Sequence, residues 1–173
     1  MKTFDYNIIL IGFMGTGKST IAKKLSYMHQ LEVVEMDEEI VRRQGMSIPD
    51  IFAEHGEEYF RNLETELLRD LQSRGGKVIS CGGGAPLRAE NVLLMKQNGR
   101  VVLLTATPES VYERVKNGKN RPILNGNMNV EYIASLMEKR REKYEAAADV
   151  VVATDGKVIW QICEELTQAL KKG

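Results

Sequence analysis

At 173 residues the chain is the size of one compact domain, and 43% hydrophobic with 28% charged residues is the composition of a globular protein with a core. Lys plus Arg and Asp plus Glu number 24 each, and a net charge of zero argues against a nucleic-acid or membrane-surface protein. The two cysteines, Cys81 and Cys163, have neither metal-ligand spacing nor a disulfide framework. With no signal-peptide layout after Met1 and no apolar run of membrane-spanning length, a cytoplasmic chain with reduced thiols is expected.

Tyr6 to Ile11 is a short isoleucine-rich run that suits a buried parallel strand. Lys18 to His29 then turns helical, with Ile21, Leu25 and Met28 on one face. Glu32 to Met36 reads as a second strand, and Asp37 to Gln44 as a helix stopped by Gly45. Ser47-Ile48-Pro49-Asp50 is a capped helix start, and Glu57 to Ser73 a longer helix. A third strand, Lys77 to Cys81, leads into Gly82-Gly83-Gly84 and a helix from Arg88 to Gln97. Arg100 to Thr105 is a fourth strand, followed by a helix capped by Thr107. Asn117 to Asn129 is polar and glycine-bearing and reads as a loop. Helix Val130 to Ala147, strand Asp149 to Ala153 and helix Lys157 to Lys171 complete the chain. This alternation predicts an α/β fold, three layers α/β/α around a five-stranded parallel sheet, in one domain over 1–173. Ligands of such sheets bind beyond the carboxyl ends of the strands, where Gly12, Glu35, Asp37 and Gly82 fall.

The stretch GFMGTGKST, Gly12 to Thr20, fits G-x-x-x-x-G-K-[ST] between a strand and a helix. Its glycines turn backbone N–H groups toward phosphate oxygens, and the helix that starts here adds its positive end. Lys18 is placed to reach the β- and γ-phosphates and the Ser19 hydroxyl to ligate Mg²⁺. Gly12, Met14, Gly15, Thr16, Gly17, Lys18, Ser19 and Thr20 are the expected nucleotide-binding set.

Glu35-Met36-Asp37-Glu38 has two readings. It could be the acidic strand end that holds Mg²⁺ in ATPases, although that strand generally lies further along the chain. Alternatively, Asp37 faces the acceptor side of the γ-phosphate and orients or deprotonates an attacking hydroxyl. Glu38 and Glu39 read as helix-start acids.

Two helices carry charges inside their apolar arcs. Glu64 falls between Phe60 and Leu68, with Arg61 at the edge one turn earlier. A buried carboxylate demands a partner, and an Arg61–Glu64 pair that presents its guanidinium to a ligand supplies one. Arg140 lies amid Ile133, Leu136, Met137, Tyr144 and Ala147. Its partner is either a ligand carboxylate or phosphate, or a salt bridge beneath a cleft. Gly82-Gly83-Gly84 allows close backbone approach to a ligand, or is simply a flexible turn. The loop containing Arg121-Pro122, with the span 116–129, suits a lid that would bring Arg121 over the γ-phosphate, or an ordinary solvated loop. His29 and His55 belong to no constellation.

The ordered set GFMGTGKST, Asp37, Phe60-Arg61-x-x-Glu64, Gly82-Gly83-Gly84, Arg121-Pro122-Ile123-Leu124 and Arg140-x-x-x-Tyr144 resembles the shikimate kinases over essentially the whole chain. The resemblance implies a P-loop kinase of the nucleoside-monophosphate-kinase type, which moves the γ-phosphoryl of MgATP to the 3-hydroxyl of shikimate. It implies a monomer with ATP and shikimate as its substrates and an acceptor-binding helical segment over 37–62. By the same resemblance, Lys18, Asp37 and Arg121 are catalytic, Asp37 contacting the acceptor hydroxyl as a base. Arg61 and Arg140 hold the shikimate carboxylate, Gly82, Gly83 and Gly84 lie against shikimate, and Glu64 supports Arg61. Arg114 stacks on adenine, Ser19 binds Mg²⁺, and Glu35 stands near the ion without touching it. Two places depart from the family pattern: Glu35 replaces the first acid of Asp-x-Asp, and Thr154-Asp155-Gly156-Lys157 lacks a proline that often lies against adenine. The rival expectations are a kinase of another small hydroxylated acid, such as gluconate, and a nucleotide-binding module without transfer activity.

Overall fold

The structure, a computed structural model, describes residues 3–116 and 129–173. Residues 117–128 of the expected lid, Arg121 among them, lie outside the described residues. In chain order the elements are β1 (Asn7–Ile11), α1 (Lys18–His29), β2 (Glu32–Glu35), α2 (Met36–Gln44), α3 (Ile48–His55), α4 (Glu57–Leu71) and β3 (Lys77–Ser80). A short 3₁₀ turn (Ala85–Leu87) follows, then α5 (Ala89–Gln97), β4 (Gly99–Thr105), α6 (Pro108–Val115), α7 (Val130–Ala147), β5 (Val150–Ala153) and α8 (Ile159–Lys172).

The five strands form one sheet in the order β2-β3-β1-β4-β5, and every neighbouring pair is parallel. Central β1 is buried throughout, and its side chains alternate between two cores. Ile9 and Ile11 join Phe60, Leu67, Met95 and Ile133 on one face. Ile8 and Leu10 join Leu25 of α1 and Leu166 of α8 on the other. The sheet is therefore covered on both sides, as a fully apolar parallel strand requires. Because the order reverses around β1, the crevice at the carboxyl ends of β1, β3 and β4 is where a ligand fits. Among the described residues, no helix is long and apolar enough to cross a membrane.

Element boundaries shift where side chains take over backbone bonds. Asp149, expected in the last strand, precedes it: its carboxylate accepts the Val101 amide at 2.8 Å and pairs with Lys96. The closing helix starts at Ile159, not Lys157, since Gln161 accepts the Val158 amide and caps it there. Met36 opens α2 instead of ending β2, which puts Asp37 in the first helical turn.

Candidate active site

The loop from Gly12 to Gly17 wraps tightly after β1. Gly12 has φ 151°, and a Cβ there would stand 2.5 Å from the Leu104 carbonyl oxygen, so only glycine fits. Thr16 Oγ1 donates to the Phe13 carbonyl at 2.8 Å and closes the turn. Lys18 Nζ donates to the carbonyls of Gly12 at 2.7 Å and Phe13 at 3.1 Å, which holds its ammonium inside the concavity. Gly17 caps α1 without a side-chain acceptor, and so leaves the helix's first N–H groups for an anion.

Ser19 Oγ donates to Glu35 Oε2 at 3.0 Å, while Glu35 Oε1 is buried without a hydrogen-bond partner. Arg114 Nη1 bonds the Gly15 carbonyl at 2.8 Å and Thr154 Oγ1 at 3.4 Å, tying α6 to the loop and to the turn after β5. Asp155 in that turn accepts the Thr107 amide at 3.1 Å and so anchors the start of α6.

The other half of the site faces this cradle across a cavity of about 970 Å³, whose wall includes Lys18, Ser19, Asp37, Arg61, the glycine trio and Arg140. Burial pushes the Asp37 carboxyl above its ordinary range, against the pull of Lys18 and Arg61. Arg61 Nη1 bonds Glu64 Oε1 at 2.8 Å, the pair expected from the helical wheel, and Glu64 is 0% exposed. Arg140 Nη1 donates to the Tyr144 hydroxyl at 3.2 Å, which donates in turn to the Gly83 carbonyl at 2.6 Å. The Arg140 guanidinium also lies over the Phe13 ring, 5.6 Å from its centroid.

Each glycine of the trio sits against a different charged group. A Cβ on Gly82 would stand 3.0 Å from Asp37 Oδ1 and 3.2 Å from Glu64 Oε2. One on Gly83 would stand 2.8 Å from Arg140 Nη1, and one on Gly84 would enter the Arg61 guanidinium. The missing side chains thus let α2, α4 and α7 converge on one short segment after β3.

Two residues of the site had no role assigned from the sequence. By periodicity Tyr144 reads as part of an apolar arc, and it enters otherwise only through the motif Arg140-x-x-x-Tyr144, one turn after Arg140 on the same face. Arg88 gave no signal, yet it bonds Asn62 at 2.9 Å and Thr65 at 3.0 Å and pairs with Glu58 at 3.0 Å, which braces α4 against the segment after the trio. Cys81 is a buried small core residue whose thiol is pushed up by burial. His29 has a packing role: its buried ring lies between Thr3 Oγ1 at 3.2 Å and Thr167 Oγ1 at 2.9 Å, away from the cavity.

A phosphate cradle on a doubly covered parallel sheet, opposed by an acid and two arginines around a small-molecule cavity, defines a P-loop phosphotransferase. The shikimate kinase family model matches residues 14–171. The chain is 42% identical to a shikimate kinase of Dehalococcoides mccartyi over 172 residues, 99% of this chain and 97% of that one. A shikimate kinase from Acinetobacter baumannii, solved in complex with shikimate, superposes with a TM-score of 0.91 at 33% identity, covering 99% of this chain and 95% of that one. That from Aquifex aeolicus superposes at 0.82 with 39% identity, over 95% and 96% of the two chains. The chain belongs to the shikimate kinase family.

Proposed function

We propose that the protein transfers the γ-phosphoryl of ATP to the 3-hydroxyl of shikimate, acting in the cytoplasm as a monomeric kinase built from one domain. The observation that carries this is the convergence of Arg61, Arg140 and Asp37 on the glycine trio, opposite Lys18 across one cavity. Two forked guanidiniums suit a planar carboxylate, and a buried acid beside them suits a hydroxyl on the same small ring.

In this reading the cradle amides and Lys18 hold the β- and γ-phosphates, with Lys18 leaving the two carbonyls it now serves. Arg61 and Arg140 take the acceptor carboxylate and fix the ring's orientation, so that the 3-hydroxyl faces Asp37. Burial makes Asp37 a stronger base than a solvated aspartate, fit to accept the hydroxyl proton as the new O–P bond forms. The gain comes chiefly from in-line positioning and charge stabilisation. Arg121 is the arginine assigned to the transferring phosphoryl.

Mg²⁺ fits Ser19 and Glu35: the hydroxyl and the carboxylate are in contact, and Glu35 keeps one buried oxygen without a partner for a cation or its water. The ion would neutralise charge on the phosphates. With few protein ligands, Mg²⁺ of this kind keeps several waters and takes oxygens of the substrate phosphates.

A coupled assay with ATP, Mg²⁺ and shikimate tests the reading, with the product's phosphorylated position read by NMR. Turnover with shikimate and a phosphate on O3 is expected. Turnover with gluconate alone, or ATP binding without a phosphorylated product, would overturn it.

A further inference from the structure

Glu64 has no task in the transfer itself, yet it is fully buried on the inward face of α4. Its Oε1 holds Arg61, while its Oε2 is buried and has no hydrogen-bond partner. Arg61 is also drawn to Glu57 Oε1 at 3.5 Å, so one guanidinium already serves two carboxylates of its own helix. From α2, Asp37 faces Glu64 across Gly82 and adds negative charge. From the segment after the trio, Arg88 adds positive charge, more weakly than Arg61. Just after β3 the neighbour is the Cys81 thiol, which burial keeps protonated. Arg140 on α7 is turned to Gly83 and Phe13, and Lys18 lies on the cradle side of Asp37. Arg61 is thus the main support of the Glu64 charge.

We infer that binding of the acceptor carboxylate at Arg61 is coupled to uptake of a proton by Glu64. The coupling rests on the assignment of Arg61 to the acceptor carboxylate. A ligand anion at Arg61 shares with Glu64 a guanidinium that Glu64 holds by Nη1 alone, and adds negative charge beside it. Glu64, with a side chain only 1% exposed, cannot screen that added charge with water. Protonation from bulk solvent through the cavity resolves the conflict: one proton is taken up, the carboxylate becomes a carboxylic acid, and the unpartnered Oε2 is free to carry it. Glu64 is then a positioning residue that keeps Arg61 aimed while the ligand shares its guanidinium. Burial has already pushed its carboxyl up to about 7, against the pull of Arg61, so neutral pH is where uptake is measurable. Acceptor binding linked to proton uptake must tighten as pH falls.

The test is calorimetric titration of shikimate into the full-length protein with ADP and Mg²⁺ present, at pH 7, in buffers of different ionisation enthalpy. The expected result is a buffer-dependent heat corresponding to uptake of about half a proton per shikimate, since a group with a pKa near 7 starts about half protonated there. In Glu64→Gln the uptake should vanish, and the acceptor KM should lose its rise between pH 6 and 8. In Asp37→Asn the uptake should persist. Saturable binding with a buffer-independent heat would overturn the coupling alone, as would an unchanged uptake in Glu64→Gln. Absence of any saturable shikimate binding would overturn the acceptor assignment and the coupling with it.

Discussion

Replacing Tyr144 with phenylalanine isolates how Arg140 is aimed. The ring is buried, 5% exposed, and phenylalanine keeps its volume, so no cavity is opened. What is lost is one oxygen with two bonds: 2.6 Å to the Gly83 carbonyl and 3.2 Å from Arg140 Nη1. A typical net hydrogen bond contributes about 0.5–1.5 kcal/mol, and the two lost here border the cavity. Tyr144→Phe should therefore destabilise the fold by roughly 1–3 kcal/mol, which lowers Tm by roughly 2–12 °C for a domain of this size. The part that matters for function is Arg140's freedom to leave its productive aim. Losing about 1–2 kcal/mol of acceptor binding raises the KM for shikimate roughly 5- to 30-fold, at about 1.4 kcal/mol per factor of ten. The KM for ATP should stay within about two-fold, because neither Arg140 nor Tyr144 contacts the phosphate cradle through this hydroxyl. Steady-state kinetics with each substrate varied in turn, beside a denaturant titration, measures both effects. A shikimate KM unchanged in a destabilised variant would refute the positioning role and leave Tyr144 structural. Equal rises in both KM values would place its influence on the loop instead.

The remaining predictions address other links of the same site and one outside it. Asp37→Asn should lower kcat by about 10²–10⁴-fold if the carboxylate acts as general base, with smaller changes in either KM; near-normal turnover removes that role. Gly84→Ala puts a methyl group into the Arg61 guanidinium, 2.6 Å from Cζ. The long side chain can swing away, but only by giving up its bond to Glu64, so shikimate KM should rise about ten-fold or more, and the buried Glu64 left without that bond should lower Tm as well, read by the same assays. His29 has its pKa lowered by burial and by Lys171, so its folded-state pKa lies below its unfolded value. Its contribution to stability is present above about pH 6.5 and is lost as pH falls through that value toward the folded pKa. Denaturation midpoints measured between pH 7.5 and 5 should fall more steeply in the wild type than in His29→Gln; parallel curves would exclude this linkage.

Regular alternation of apolar runs and helical periods was enough to predict the layers, and the structure changed only their ends. Those ends moved where a side chain replaced a backbone partner, as at Asp149 and Gln161, which a periodicity cannot register. Glu64 was legible because a charge inside an apolar arc violates the pattern that burial imposes, and the structure pairs it with Arg61 as the wheel required. The role of Tyr144 was hidden by the same logic, although the motif Arg140-x-x-x-Tyr144 flagged the residue: an aromatic ring satisfies the arc, and its hydroxyl leaves no mark on the pattern. The partners of His29 left no signal because both come from distant parts of the chain, one before β1 and one in α8.

The cradle was determined by sequence alone, because its geometry is local: a strand, a run of glycines and a helix start together fix where the amides and Lys18 point. The proposed acceptor side is not local. Asp37, Arg61, Gly82 to Gly84 and Arg140 come from α2, α4, the segment after β3 and α7. Sequence put each of them near one rim of the sheet. Only the packing of three helices against a segment without side chains decided which charge faces which glycine. Contacts between elements distant in sequence are fixed by the close-packed core that all of them share, and by no stretch taken singly.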